Sequence, residues 1–283
     1  MTQKSHKSAS ISPTAHYTGH VWLRHGLSDE RLATYLGKLF YSSLKPIMTA
    51  SSLLGGPTLE HFLLARHQII DSLLEQAIES GEVSQIIECA AGLSPRGLRF
   101  VKRYGKKITY IEADLEGMAT LKRERLKNTH EHHRVVTLNV LHRQGADSLT
   151  SLANTLDKSK GLVIVTEGLI NYFDQNTVLN IWTRFAKTLS QFPTGILLSD
   201  IHIENKNYGW LSNAFKLALS HFVRSRVYQH FENELEVQQA LTTQGFKNAT
   251  LHNPKDWAKK FPSCKTPGAD LVRVIEARIQ KEK

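Results

Sequence analysis

Four carboxylates and one glycine turn hold most of the chemistry this chain offers. In IIECAAGLSPRGLRF, residues 86–100, Gly92 follows a short apolar run. Glycine takes positive φ without steric cost, so a ligand could lie against bare backbone there. Glu88 stands just before the turn, and Asp114 closes the next apolar run, YIEAD. Ligands of open α/β sheets bind at the C-terminal strand edge, where an acid about twenty residues past the glycine turn can accept hydrogen bonds from ribose hydroxyls. Glu112 competes for that role in sequence but is expected to face the other side of its strand. Glu167 follows the run VIVT near the expected centre of the crevice. It could bind a cationic amino group, or serve as a helix N-terminal acid favoured by the macrodipole. Asn139, at the end of a further run, could read an adenine edge with its amide or simply form a turn.

One arginine stands out against its surroundings. Over residues 59–80 the side chains of Leu59, Phe62, Leu63, Ile69, Ile70, Leu73 and Ala77 fall on one helical arc, and Arg66 falls near its middle. A guanidinium on an apolar face needs a carboxylate partner. That partner could belong to the fold, as an internal salt bridge, or to a ligand gripped bidentately. THEHHR (129–134) offers histidines without well-separated ligand spacing, so no metal is expected. Cys89 reads as a small core residue rather than a nucleophile.

The elements that must position these residues follow from pattern. From about residue 81 short apolar runs alternate with helical segments, the signature of βαβ units and a parallel sheet. Strands are expected at 85–89, 108–112, 135–139, 162–166 and 196–200. Helices are expected at 97–104, 115–127 and 177–189, with a mostly helical stretch at 203–231 and a helix at 232–243 closed by Gly245. Segments 247–251 and 271–277 then suit a hairpin-like pair of strands. Residues 1–80 read as a largely helical N-terminal extension and 81–283 as the main domain, with the stretch 203–231 inserted as a cap. No G-x-G-x-x-G follows the first strand, which argues against a dehydrogenase.

Composition narrows the class further. Of 283 residues 41% are hydrophobic and 22% charged, ordinary for a globular protein. No apolar run nears the ~20 residues that span a bilayer, the first twenty residues lack a secretory h-region, and the two cysteines form no ligand-spaced pair. These features point to a cytoplasmic location. The net charge of +10 is dispersed rather than gathered in a stripe with stacking aromatics. Nucleic acid is therefore not the expected partner, and an anionic small molecule is compatible with the charge.

Taken in order, IIECAAGLSPRG, YIEADLEGMATLKRERL and VIVTEGLINYF, with ARH at 65–67, resemble the leucine carboxyl methyltransferase family of S-adenosylmethionine-dependent O-methyltransferases, in its bacterial polyketide O-methyltransferase-like branch. The resemblance runs from about residue 14 to 200. It implies a class I methyltransferase (Rossmann-like) fold, a seven-stranded mostly parallel sheet with a helical extension and cap. It also implies S-adenosylmethionine as cofactor and S-adenosylhomocysteine as product. Arg66 would hold the methionine carboxylate, Gly92 with Ala90 and Glu88 would line the cofactor, Asp114 would hold the ribose, Asn139 would lie by the adenine and Glu167 near the methionine end. Two positions depart from the family: Ala90 stands where glycine is common, and Asn139 where an acid is common. The function this implies is methyl transfer to a carboxylate or hydroxyl of a small, polyketide-like acceptor. The alternatives are an RNA methyltransferase, motivated by the basic charge, and a non-catalytic binding protein that kept the fold. A carboxylate acceptor is already ionised and needs no base. A hydroxyl needs one, and His202, beyond the fifth strand, is the candidate. His16 and Tyr17 are expected to close over the site, and Tyr208 and Trp210, with Phe215 and Phe222, to line an acceptor pocket or pack the cap.

Overall fold

The computed structural model describes residues 13–53, 56, 58–127, 130–203, 228 and 230–280. Seven strands form one sheet: β1 (Gln85–Cys89), β2 (Thr109–Asp114), β3 (His133–Thr137), β4 (Leu162–Thr166), β5 (Thr194–His202), β6 (Asn248–His252) and β7 (Val272–Gln280). Their order is β3-β2-β1-β4-β5-β7-β6. The first five run parallel, and β7 lies antiparallel to both β5 and β6. The chain reverses its direction of winding between β1 and β4, which creates the crevice where open α/β sheets bind ligands.

The central strands are apolar because both their faces are covered. Every residue of β1 (QIIEC) and of β4 (LVIVT) is buried. On one face Ile87, Cys89, Ile111, Ile164 and Leu197 pack with α6 (Leu149–Ala153), α7 (Gln175–Leu189) and α8 (Glu234–Thr243). On the other, Ile86, Tyr110, Val163 and Leu198 pack with α3 (Leu59–Glu79) and α4 (Arg96–Tyr104). The remaining helices are α1 (Pro13–Arg24), α2 (Tyr35–Leu53) and α5 (Glu116–Arg125).

Helix α3 starts where the side chain of Thr58 accepts from the His61 N–H, an ordinary N-cap. It is buried on nearly all sides. Ile69, Ile70 and Leu74 face the sheet, while Phe62, Leu63 and Leu64 join Tyr17, Val21, Trp22 and Tyr41 of α1 and α2. The boundary expected at residue 80 therefore falls inside one packed core, and α3 is a layer of the sheet domain.

Most strand positions agree with the sequence pattern, and β1 and β4 agree to the residue. The other parallel strands differ at their ends. Strand β2 reaches Asp114, and β3 starts two residues earlier than expected because His133 pairs with Tyr110 of β2. Strand β5 runs on to His202, held by nine residue pairs with β7. The expected helical stretch 203–231, with Tyr208, Trp210, Phe215 and Phe222, lies mainly outside the described residues.

Candidate active site

The loop after β1 carries two successive departures from ordinary backbone. Ala90 has φ +54° and Gly92 φ +50°, and Ala90 is the one non-glycine with positive φ among the described residues. The Ala91 N–H donates to the Ala113 carbonyl at 3.2 Å, tying the loop to β2. At the start of α4 the hydroxyl of Ser94 accepts the Arg96 N–H at 3.2 Å. The chain's own side chain thus occupies a helix-terminal donor that a phosphate-binding loop would leave open.

Asp114 faces that loop. Its carboxylate accepts the Gly92 N–H at 2.7 Å and the Leu115 N–H at 2.7 Å. Burial pushes the Asp114 carboxyl up, and these two backbone donors only partly offset the effect. Further donors, such as a pair of hydroxyls, would stabilise its charge. Beside it Leu115 is 40% exposed, an apolar surface next to the acid that could meet the flat face of a base. In the sequence its signal is a leucine directly after a strand-end acid.

Across β1, at the ends of β4 and β5, lies a buried cluster of charges. Arg66 donates from Nε to Glu167 at 3.1 Å and from Nη1 to Asp200 at 2.9 Å. The internal salt bridge is therefore present, and Nη2 has no partner among the described residues. Arg96 is fully buried and bridges Asp71 at 2.5 Å, Glu88 at 2.6 Å and Glu167 at 2.6 Å. His67 lies 2.8 Å from Glu167 through Nδ1, and Arg99 pairs with Asp71. Burial alone would raise the Glu167 carboxyl, but His67, Arg96 and Arg66 hold it well below the usual carboxylate range. For Asp200 burial wins, and its carboxyl is raised despite Arg66 and the Gly168 N–H. His67, Asp71, Arg96 and Asp200 were missed from sequence because their partners lie far along the chain.

Several expected positions take a different place. Glu88 is 1% exposed, and its two oxygens accept from Arg96 and, at 2.7 Å, from the Tyr110 hydroxyl. It stands behind the crevice rather than at its surface. Glu112 does avoid the crevice, but not by alternation, since residues 112 and 114 share a strand face. It is buried with Lys122 at 2.9 Å and His133 at 3.1 Å, under the start of α4. Asn139 lies two residues past β3, where it forms a turn. Its Oδ1 accepts the Leu141 N–H at 3.0 Å, and its Nδ2 lies 3.1 Å from His142.

Helix α1 does close over the loop, but through its small residues. A Cβ on Gly92 would meet that of Ala15 at 3.4 Å, and one on Gly19 would meet that of Leu93 at 3.0 Å. His16 is buried against the Thr34 hydroxyl at 2.9 Å, and Tyr17 stacks on Tyr41 in the helical core. Both are turned into the packing of the N-terminal helices.

His202 is the last residue of β5, its ring set edge-on to Phe62. Burial, aided by Arg66, pushes its imidazole down to about 3. It is neutral near pH 7, able to accept a hydrogen bond but weak as a base. Tyr208 and Trp210 lie outside the described residues. Cys89 is buried in the core, and burial raises its thiol. Among the described residues no group of three or more metal-ligating side chains comes together, and no helix is long and apolar enough to cross a membrane.

The donor set suits a nucleoside bearing a zwitterionic tail. A partly satisfied acid beside exposed leucine lies on one side of β1, and a guanidinium whose Nη2 meets no partner among the described residues lies beside an ionised carboxylate on the other. The bare backbone at Gly92 agrees with such a ligand.

The family model for leucine carboxyl methyltransferase matches residues 30–186. No curated protein matches the chain. Among solved structures, a candidate methyltransferase from Thermobifida fusca YX superposes with a TM-score of 0.66 at 11% identity, covering 96% of this chain and 97% of that one. A DUF574 family protein from Streptomyces avermitilis MA-4680 gives 0.62 at 10% identity, with 95% and 97% covered. The CMeT domain of the citrinin polyketide synthase gives 0.55 at 15% identity, with 97% and 67% covered. At these identities the solved structures establish the shared fold.

Proposed function

This chain belongs to the leucine carboxyl methyltransferase family of S-adenosylmethionine-dependent methyltransferases, and on that premise we propose that it methylates an oxygen, carboxylate or hydroxyl, of an anionic small-molecule acceptor. The observation that carries the cofactor half of this reading is Asp114, a strand-end acid fixed by the Gly92 and Leu115 N–H groups and facing the turn after β1.

Asp114 would hold the ribose hydroxyls, with Gly92 and Ala90 giving bare backbone alongside. Leu115 and Asn139 would flank the adenine. Arg66 would hold the methionine carboxylate through Nη2, which meets no partner among the described residues, and Glu167 the ammonium. When bound, the cofactor supplies an electrophilic methyl on a sulfonium. No side chain has to act as nucleophile, so the chain's work is alignment and the exclusion of water.

An acceptor that arrives ionised needs no base. Glu167 and Asp200 are both engaged by Arg66, and His202 is a weak base in its half-buried setting, so a carboxylate suits the described residues better than an unactivated alcohol. The net charge of +10 favours an anion reaching the site.

The test is incubation with S-adenosylmethionine and matched sets of carboxylic acids, phenols and alcohols, read by mass spectrometry. Methyl esters or ethers among the products support the reading. Transfer confined to carbon or nitrogen acceptors, or to RNA, overturns it.

A further inference from the structure

Arg96 has no access to solvent, yet it reaches three carboxylates on three different elements. Asp71 comes from α3, Glu88 from β1, and Glu167 from the residue after β4. A buried ionic network of this kind is poor evidence for stability, because desolvating the charges offsets much of their attraction. Its geometry suggests another use. Arg96 opens α4, and its own N–H is held by Ser94, whose N–H in turn donates to the Ala91 carbonyl at 2.8 Å. The guanidinium therefore stands on the same loop that carries Ala90 and Gly92. Through Nη2 it grips Oε2 of Glu167 at 2.6 Å, while Oε1 of the same carboxylate meets Arg66 at 3.1 Å.

We propose that Arg96 is a positioning residue that fixes the Glu167 carboxylate for the amino-acid end of the cofactor, linking the loop after β1 to the end of β4. Glu88 acts one step further back. It holds Nη1 of Arg96 at 2.6 Å and is itself held by Tyr110. A lysine at position 96 would keep one charge but could not span Asp71, Glu88 and Glu167 at once, because an ammonium lacks the planar fork.

The inference rests on the proposed cofactor reading, and two ligands separate the two. S-adenosylhomocysteine carries the amino-acid end, whereas 5′-methylthioadenosine lacks it. The affinity of the full-length protein for each is measured by calorimetry. The wild type should prefer the first ligand strongly. Arg96→Lys should cut that preference by about tenfold or more, the scale of one charge-assisted contact, while the affinity for 5′-methylthioadenosine changes less than threefold. Glu167→Gln should do the same, and combining it with Arg96→Lys should add little.

Glu88→Gln loosens Arg96 from behind without touching Glu167, and should lower the preference in the same direction. It carries the test if Arg96→Lys does not fold. Equal weakening of both ligands, an unchanged preference, or full additivity with Glu167→Gln overturns the positioning role. A wild type that binds neither ligand overturns the cofactor reading instead.

Discussion

Ala90 offers a test in which local conformation and strand propensity predict opposite outcomes. The residue follows β1, and its methyl packs partly against the apolar core. From those facts alone valine should be welcome, since β-branched residues gain up to ~1 kcal/mol over alanine in strands. Its φ of +54° reverses the expectation. An L-residue in that region bears about 1–2 kcal/mol of steric cost, and for a β-branched side chain the conformation is a true outlier. Ala90→Gly removes this cost, gives back about 0.4–1 kcal/mol through the freer unfolded chain, and loses part of a methyl worth ~0.8 kcal/mol. The net is a gain between about zero and 1 kcal/mol. Ala90→Val should lose about 2 kcal/mol or more, so the order is Gly at least equal to Ala, and both well above Val. With an unfolding entropy of about 2.1 cal/mol/K per residue, the 283 residues make each kcal/mol worth about 1.7 °C. The two variants should therefore differ by roughly 3–5 °C in calorimetric melting temperature. S-adenosylhomocysteine affinity of Ala90→Gly should stay within threefold of wild type. A valine variant as stable as the glycine one would refute the left-handed conformation and the loop shape built on it.

Two further substitutions probe the supports of the site. Gly97→Ala would place a Cβ 2.6 Å from Oε1 of Glu112, which Lys122 pins, and 2.8 Å from Nε2 of His133, which Glu112 holds. The roughly 1 kcal/mol that alanine usually gains over glycine in a helix should be outweighed, leaving a loss of about 1–2 kcal/mol by overpacking in urea titration; a stabilised variant would show that the triad yields easily. His202, held down to about 3 in the fold, is protonated below ~6.5 only when unfolded. Its contribution is present above pH 6.5 and is lost as pH falls toward 3. Replacing it by glutamine should shrink the stability difference between pH 7 and pH 5 by about 1–2 kcal/mol, and an unchanged difference would place the ring in solvent.

What was legible in the sequence divides along physical lines. Strands β1 and β4 read clearly because strands buried on both faces are continuous apolar runs. The ends of β2, β3 and β5 did not, because they are set by pairing partners such as Tyr110 with His133. Asp114 and Gly92 were legible as a pair because a strand and its neighbour fix their separation. The ion network was half legible. Arg66 on an apolar arc demanded a carboxylate, but nothing local said that Glu167 and Asp200, 101 and 134 residues away, would supply it. Arg96 and Glu88 remained hidden for the same reason. Glu88 at a strand end looked like a ligand contact until Tyr110 and Arg96 were seen to occupy both its oxygens.

The most direct test is calorimetric titration of S-adenosylhomocysteine into the wild type and Asp114→Ala. Removing a carboxylate that would accept two hydroxyl donors should cost about 2–4 kcal/mol, or a loss of roughly thirtyfold to a thousandfold in affinity. Tight binding by the wild type and that loss in the variant are the predicted results. No heat from the wild type, or equal affinity in the two proteins, would contradict the account of this edge as the cofactor site.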